Sequence, residues 1–119
     1  MFLFLNEILQ IQYTQERLKL QKAVDLSILS QIYQIIEDRS KTQPEGSYVC
    51  ALLNDKKGIN KILEKVGEEA TETILAAKDG KRNEIIYETS DLLFHLMVML
   101  FECGVTPEEI AAELYRRHK

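Results

Sequence analysis

Residues 58–103 read GINKILEKVGEEATETILAAKDGKRNEIIYETSDLLFHLMVMLFEC, and this stretch decides the fold. Apolar residues recur at helical spacing on both sides of Asp79-Gly80-Lys81. That tripeptide is a helix stop followed by a restart. Two helices, 59–78 and 82–103, are therefore expected, joined by a short turn and lying antiparallel. The first is expected to turn Ile59, Ile62, Leu63, Val66, Ala70 and Ile74 to the core. The second is apolar almost all round from Leu92 to Phe101, interrupted only by His95. A helix apolar on every face is buried on every face, which in so short a chain implies a homodimer with this helix at its centre.

The acids of the hairpin are symmetric about its turn. Glu72 precedes Gly80 by eight residues and Glu88 follows it by eight; Glu69 and Asp91 each lie eleven away. Residues equidistant from the turn of an antiparallel pair lie level, and i, i+3 neighbours share a helix face. The spacing thus predicts a cluster of Glu69, Glu72, Glu88 and Asp91, two acids from each helix. Clustered carboxylates repel and need cations or protons. Mg²⁺ is bound through a few carboxylates together with waters and substrate phosphates, so a Mg²⁺ site acting on phosphates is the sharp reading. A solvated acidic helix face is the plain one.

Several other residues border this cluster. Glu68 stands beside it, and proton acceptance from an attacking water, support of the metal ligands and simple pairing with Lys65 all remain open for it. Lys57, Lys61 and Lys65 step along one helical face towards the acids, as a solvated basic stripe or as phosphate ligands. His95 lies one turn beyond Asp91, as a satisfied core histidine, a partner of Asp91 or part of a dimer seam. Tyr48, Tyr87 and Phe94 are core aromatics or surfaces on which adenine could stack.

The rest of the chain is simpler. Its 119 residues suit one domain. A helix over 25–39, capped by Asp25 or Ser27, carries Ile28, Leu29, Ile32, Ile35 and Ile36. SKTQPEGS breaks it. Tyr48–Leu53 fits a helical turn or two. A last helix starts at Thr106, with Pro107 at its first position and Glu109 completing a capping box; Ala111, Leu114 and Tyr115 are expected to pack it down. Residues 1–22 are read as an N-terminal helical extension that docks on the bundle or on a partner chain, and 23–119 as the functional domain. The fold class is all-α, a helical bundle with no strand pattern and no repeat.

Net charge is −4 and the pI is near 5.2, which argues against a nucleic-acid grip. The opening MFLFLNEILQ has neither the basic start nor the apolar length of a signal peptide or membrane span. Cys50 and Cys103 lack metal-type spacing and read as buried free thiols. A cytoplasmic protein with no membrane partner is expected. A ferritin-like di-iron bundle is disfavoured, because it needs Glu-x-x-His pairs and neither histidine follows an acid at that spacing.

The pattern Glu68-Glu69-x-x-Glu72, fifteen residues, Glu88-x-x-Asp91 resembles the signature of the MazG-like all-α NTP pyrophosphohydrolase superfamily. Within it the chain is most similar to the phosphoribosyl-ATP pyrophosphohydrolases of histidine biosynthesis. IIEDR (35–39), PEGSY (44–48), GINKILEKVGEEATE (58–72), AAKDG (76–80), DLLFHLMVML (91–100) and ELYRR (113–117) carry that likeness. It covers residues 26–117. Residues 1–22 have no counterpart in it, and Val49 stands where Thr is expected.

The resemblance implies Mg²⁺-dependent hydrolysis of phosphoribosyl-ATP to phosphoribosyl-AMP and pyrophosphate, the second step of the histidine pathway, in a homodimer or higher assembly. It implies Glu69, Glu72, Glu88 and Asp91 as metal ligands. Arg39, Arg116 and Arg117 match family positions, as surface charge or as a tail covering a neighbouring chain's site; Lys61, Lys65 and Arg116 are the candidate contacts to substrate phosphate, and Glu68 the candidate base. Two other readings share the residues: a house-cleaning pyrophosphohydrolase for another nucleoside triphosphate, and a non-catalytic helical dimerisation module.

Overall fold

A computed structural model describes residues 24–118; the extension expected over 1–22 lies outside them. Five helices follow in order: α1 Ile28–Thr42, α2 Tyr48–Leu53, α3 Ile59–Asp79, α4 Arg82–Cys103 and α5 Pro107–Arg117. No strand occurs among the described residues. The architecture is the expected all-α bundle.

Helices α3 and α4 form the antiparallel hairpin. Gly80 closes α3 in the left-handed region at φ 69°, and its N–H donates to the carbonyls of Ala76 and Ala77 at 3.1 Å each. Only glycine takes that conformation without steric cost, so the reversal is written locally. Lys81 then stands extended at the start of α4. α1 packs across α4, and α2 bridges α1, α3 and α4.

The core lies where these elements meet. Ile36, Leu52, Ile62 and Val98 are almost fully enclosed, one from each of the four helices, with Val49 and Met97 beside them. Complete burial of such a side chain contributes about 1.5–3 kcal/mol, so this cluster sets the registry of all four helices. That registry determines where the acids meet.

Turn and cap chemistry largely follows the pattern. Ser47 caps α2 by accepting the Cys50 N–H at 3.2 Å. Thr106 and Glu109 form the reciprocal capping box with Pro107 at the first position. The start of α1 differs. Ser27 precedes the helix but makes no cap hydrogen bond; Asp25 instead accepts the Ser27 N–H at 2.9 Å, and the Ser27 hydroxyl as well. α1 also runs to Thr42, beyond the expected 39, and ends on Gln43.

Burial corrects three further expectations. On α3 the inward stripe runs Ile62, Val66, Glu69, Thr73 and Ala76 with Ala70 half-buried beside it, whereas Leu63 and Ile74 are exposed and Ile59 is over a third exposed. Both faces of α3 carry apolar residues, so periodicity alone points to either. Cys50 is buried, but Cys103 is exposed at the end of α4. α5 buries none of its residues, and Leu114 and Tyr115 are 63% and 83% exposed. Its tie to α1 includes Ser30 Oγ donating to Glu108 Oε2 at 2.6 Å. Within one chain, then, α5 is not packed down.

Candidate metal and phosphate site

The level register of the hairpin brings acids together. One carboxylate oxygen from each of Glu69, Glu88 and Asp91 lies within 4.8 Å of the others. Glu72 is outside that mutual group, but its carboxyl acts on Glu88, helping to raise it, and its charge acts on Glu69. Glu69 sits on the inward stripe of α3 and is only 7% exposed.

The electrostatics are those of a site lacking positive charge. Burial pushes the Glu69 carboxyl up, and the charges of Glu72 and Asp91 push it further, against smaller opposing effects of His95 and Lys65. Desolvation, the Glu72 carboxyl and the charges of Glu69 and Asp91 raise Glu88 to about 7. Glu69 Oε1 and Glu88 Oε1 are both inaccessible and have no hydrogen-bond partner. Buried polar atoms are normally paired. Unpaired carboxylate oxygens on two of the three clustered acids are donors suited to a hard cation, and the observed residues fit one.

The remaining candidates are placed as follows. Glu68 projects from the solvent side of α3 and pairs with Lys65 at 3.4 Å. The Lys65 ammonium is partly covered, which works against its charge, but Tyr48, Glu68 and Glu69 outweigh this and raise its pKa. Lys61 is half-buried one turn earlier, and Lys57 pairs with Glu64 at 3.0 Å. Arg116 is not brought to the acids within this chain: it forks onto Glu113, with Nη2 donating to Oε2 at 2.5 Å, on the exposed face of α5. A Cβ at Gly67 would meet nothing within 4 Å, so no close contact inside the chain accounts for that glycine.

His95 is a satisfied core histidine, only 4% exposed. Its Nδ1 lies 2.8 Å from the backbone carbonyl of Asp91, and its Nε2 lies 2.8 Å from the Tyr48 hydroxyl. A carbonyl only accepts, so Nδ1 carries a proton and donates it to Asp91 O, while Nε2 is the atom that meets the Tyr48 hydroxyl. This link spans 47 positions of sequence. No local pattern announces it; the one signal is a single polar residue in the apolar run 92–101.

Among the described residues no single helix is long and apolar enough to cross a membrane. The family model described as phosphoribosyl-ATP pyrophosphohydrolase matches residues 29–118. A phosphoribosyl-ATP pyrophosphatase of Methanococcoides burtonii is 60% identical over 93 residues, 78% of this chain and 94% of that protein. Another of Methanosarcina barkeri is 60% identical over 95 residues, 80% and 91% of the two chains. One of Geobacter sulfurreducens is 53% identical over 90 residues, 76% and 82%. The acid motif, the helical hairpin that presents it and a match across most of the length agree: this chain belongs to the phosphoribosyl-ATP pyrophosphohydrolase family.

Proposed function

We propose that this chain hydrolyses phosphoribosyl-ATP to phosphoribosyl-AMP and pyrophosphate in histidine biosynthesis, with Mg²⁺ held by Glu69, Glu72, Glu88 and Asp91. The observation that carries the metal assignment is the pair of buried, unpartnered oxygens on Glu69 and Glu88, level with Asp91. The names of the relatives supply the substrate. When bound, the cation would neutralise the triphosphate and polarise its phosphoryl oxygens. The chain's own residues then do the following. The four acids would hold that cation at the place where the phosphates meet the hairpin. Lys65, beside Glu69 and Tyr48, offers an ammonium to a phosphate oxygen, and Lys61 a second one a turn away. The water oxygen bonds to the α-phosphorus as the α–β P–O bond breaks and pyrophosphate leaves, and the proton lost by the water passes to Glu68. That carboxylate is at the solvent edge, 59% exposed, where it can return the proton to bulk water.

Glu68→Gln is expected to lower kcat about 10²–10⁴-fold, the usual contribution of a general base, with Mg²⁺ affinity unchanged. Undiminished kcat would leave Glu68 only as the partner of Lys65.

We further propose that residues 23–119 are the catalytic domain, that 1–22 are an appendage to it, and that the protein works as a cytoplasmic homodimer or higher assembly. The dimer is supported by apolar surface that one chain leaves open: Leu63, Ile74 and Leu75 on α3, Ile86 on α4 and Leu114 on α5. It would also give Arg116 a route to a neighbouring site. Sedimentation should give at least twice the 13.8 kDa chain mass, and a monomer active at full rate rejects the assembly.

The function is tested by pyrophosphate release with and without Mg²⁺, from phosphoribosyl-ATP beside a panel of ordinary and damaged nucleoside triphosphates. Preference for phosphoribosyl-ATP is expected. Preference for another triphosphate keeps the metal site and discards the pathway, and no turnover of any of them by folded protein discards the enzyme.

A further inference from the structure

A groove of about 660 Å³ opens between the end of α1 and the outer face of α2; none of the clustered carboxylates lines it, and the residue that joins it to them is Tyr48. Gln43, Pro44, Ser47, Tyr48, Ala51 and Asn54 form its walls. It is a shallow, open groove, suited to holding one face of a ligand rather than enclosing it. Tyr48 belongs to both places: it lines the groove, and the charges of Lys65, Glu69, Asp91 and Glu68 all act on its hydroxyl.

Both walls are held firmly. Gln43 has φ 50°, the one non-glycine positive φ among the described residues. Such a conformation costs about 1 kcal/mol or more and persists only where surrounding contacts over-determine it. Here the Gln43 N–H donates to Arg39 O at 2.9 Å, its side-chain amide donates to Ser40 O at 2.8 Å, and its Oε1 accepts from Asn54 at 2.8 Å. On the other side, Tyr48 is tied through His95 to the backbone of Asp91, and its ring stacks on Phe94 with centroids 6.0 Å apart. Tyr48 as a residue nevertheless remains 49% exposed. A tyrosine fixed by its hydroxyl and by one neighbouring ring, yet half open beside a phosphate-type site, has the features of a platform for a planar ligand.

We infer that Tyr48, registered by His95, seats the nucleoside end of the substrate in this groove while the phosphates lie at the carboxylates. The inference rests on the proposed function and assigns to its organic half a place which the acid motif does not address. Stacking on the open ring and hydrogen bonds to the Gln43–Asn54 amide pair supply the recognition. Tyr48 is a binding residue here and His95 a positioning residue.

The test separates the two ends of the substrate. Tyr48→Leu removes the platform, and Ala51→Phe fills the groove from an exposed position of α2 that does not adjoin the acids. Each should raise KM for phosphoribosyl-ATP about tenfold, as loss of one stacked base does, with kcat changed less than about threefold. Binding of phosphoribosyl-AMP, measured by calorimetry, should weaken by the same factor, whereas inhibition by pyrophosphate with Mg²⁺ should not move. Equal weakening of pyrophosphate, or no change in phosphoribosyl-AMP binding, overturns the assignment. Tyr48→Phe and His95→Asn break one link, so each should raise KM about threefold and the double variant no more than the worse single; additive effects overturn the role given to His95. Calorimetry needs no turnover. A wild-type protein that binds phosphoribosyl-AMP but hydrolyses nothing therefore rejects the proposed function and leaves the groove tested on its own terms.

Discussion

Replacing Glu69 by Gln, or Asp91 by Asn, is expected to abolish Mg²⁺-dependent turnover and at the same time to stabilise the metal-free protein. The two effects have one cause. Glu69 is buried, has an oxygen without a partner, and shares a small space with Glu88 and Asp91. Like charges held that closely oppose folding unless a cation or protons intervene. An amide of the same shape removes one charge and one cation ligand. Turnover should fall roughly a hundredfold or more, since even indirect damage to a metal site costs about 10–100-fold. The thermal midpoint without Mg²⁺ should rise by several degrees, as about 1 kcal/mol does in a domain of this size. Far-UV circular dichroism should not change. Full activity in both variants would sink the site; a lowered midpoint would sink the electrostatic account while leaving the ligands in place. Natural proteins commonly give up stability at their sites in this way.

The second large effect is on pH. Glu88 is raised from 4.5 to about 7. A carboxyl whose folded pKa is raised contributes stability that is fully present below its unfolded pKa and is lost as pH rises through the folded one. The metal-free protein should therefore melt progressively lower from about pH 5 to about pH 8. Mg²⁺ reverses the trend, because it binds the deprotonated acids and displaces the proton. Its affinity should climb up to about tenfold per pH unit below about 7 and level off above it. Titration calorimetry in buffers of different ionisation enthalpy should register close to one proton released per cation near pH 6. Glu88→Gln should flatten both trends. A Mg²⁺ affinity constant from pH 5.5 to 8 would show that Glu88 does not gate the site.

Much of this protein is determined within short windows of sequence. Gly80 stops α3 because only glycine takes its left-handed φ cheaply, and Thr106, Pro107 and Glu109 start α5 through contacts three residues apart. With both helices and the turn specified locally, the meeting of Glu69, Glu88 and Asp91 follows from counting residues on either side of the turn. Three things were left to the tertiary structure. Which face of α3 is buried depended on what packs against it: Ile74 and Leu63 are as apolar as Ile62, yet Glu69 is enclosed and they are not. Periodicity gives a helix its faces but not their neighbours. The link from Tyr48 through His95 to Asp91 joins elements far apart in sequence, and Gln43 and Asn54 meet only because α1 and α2 fold back on each other. The acids were legible because a helix hairpin is a local object with fixed spacing. The groove that Tyr48 lines was not, because its walls come from elements brought together only by burying Ile36, Leu52, Ile62 and Val98 in one core.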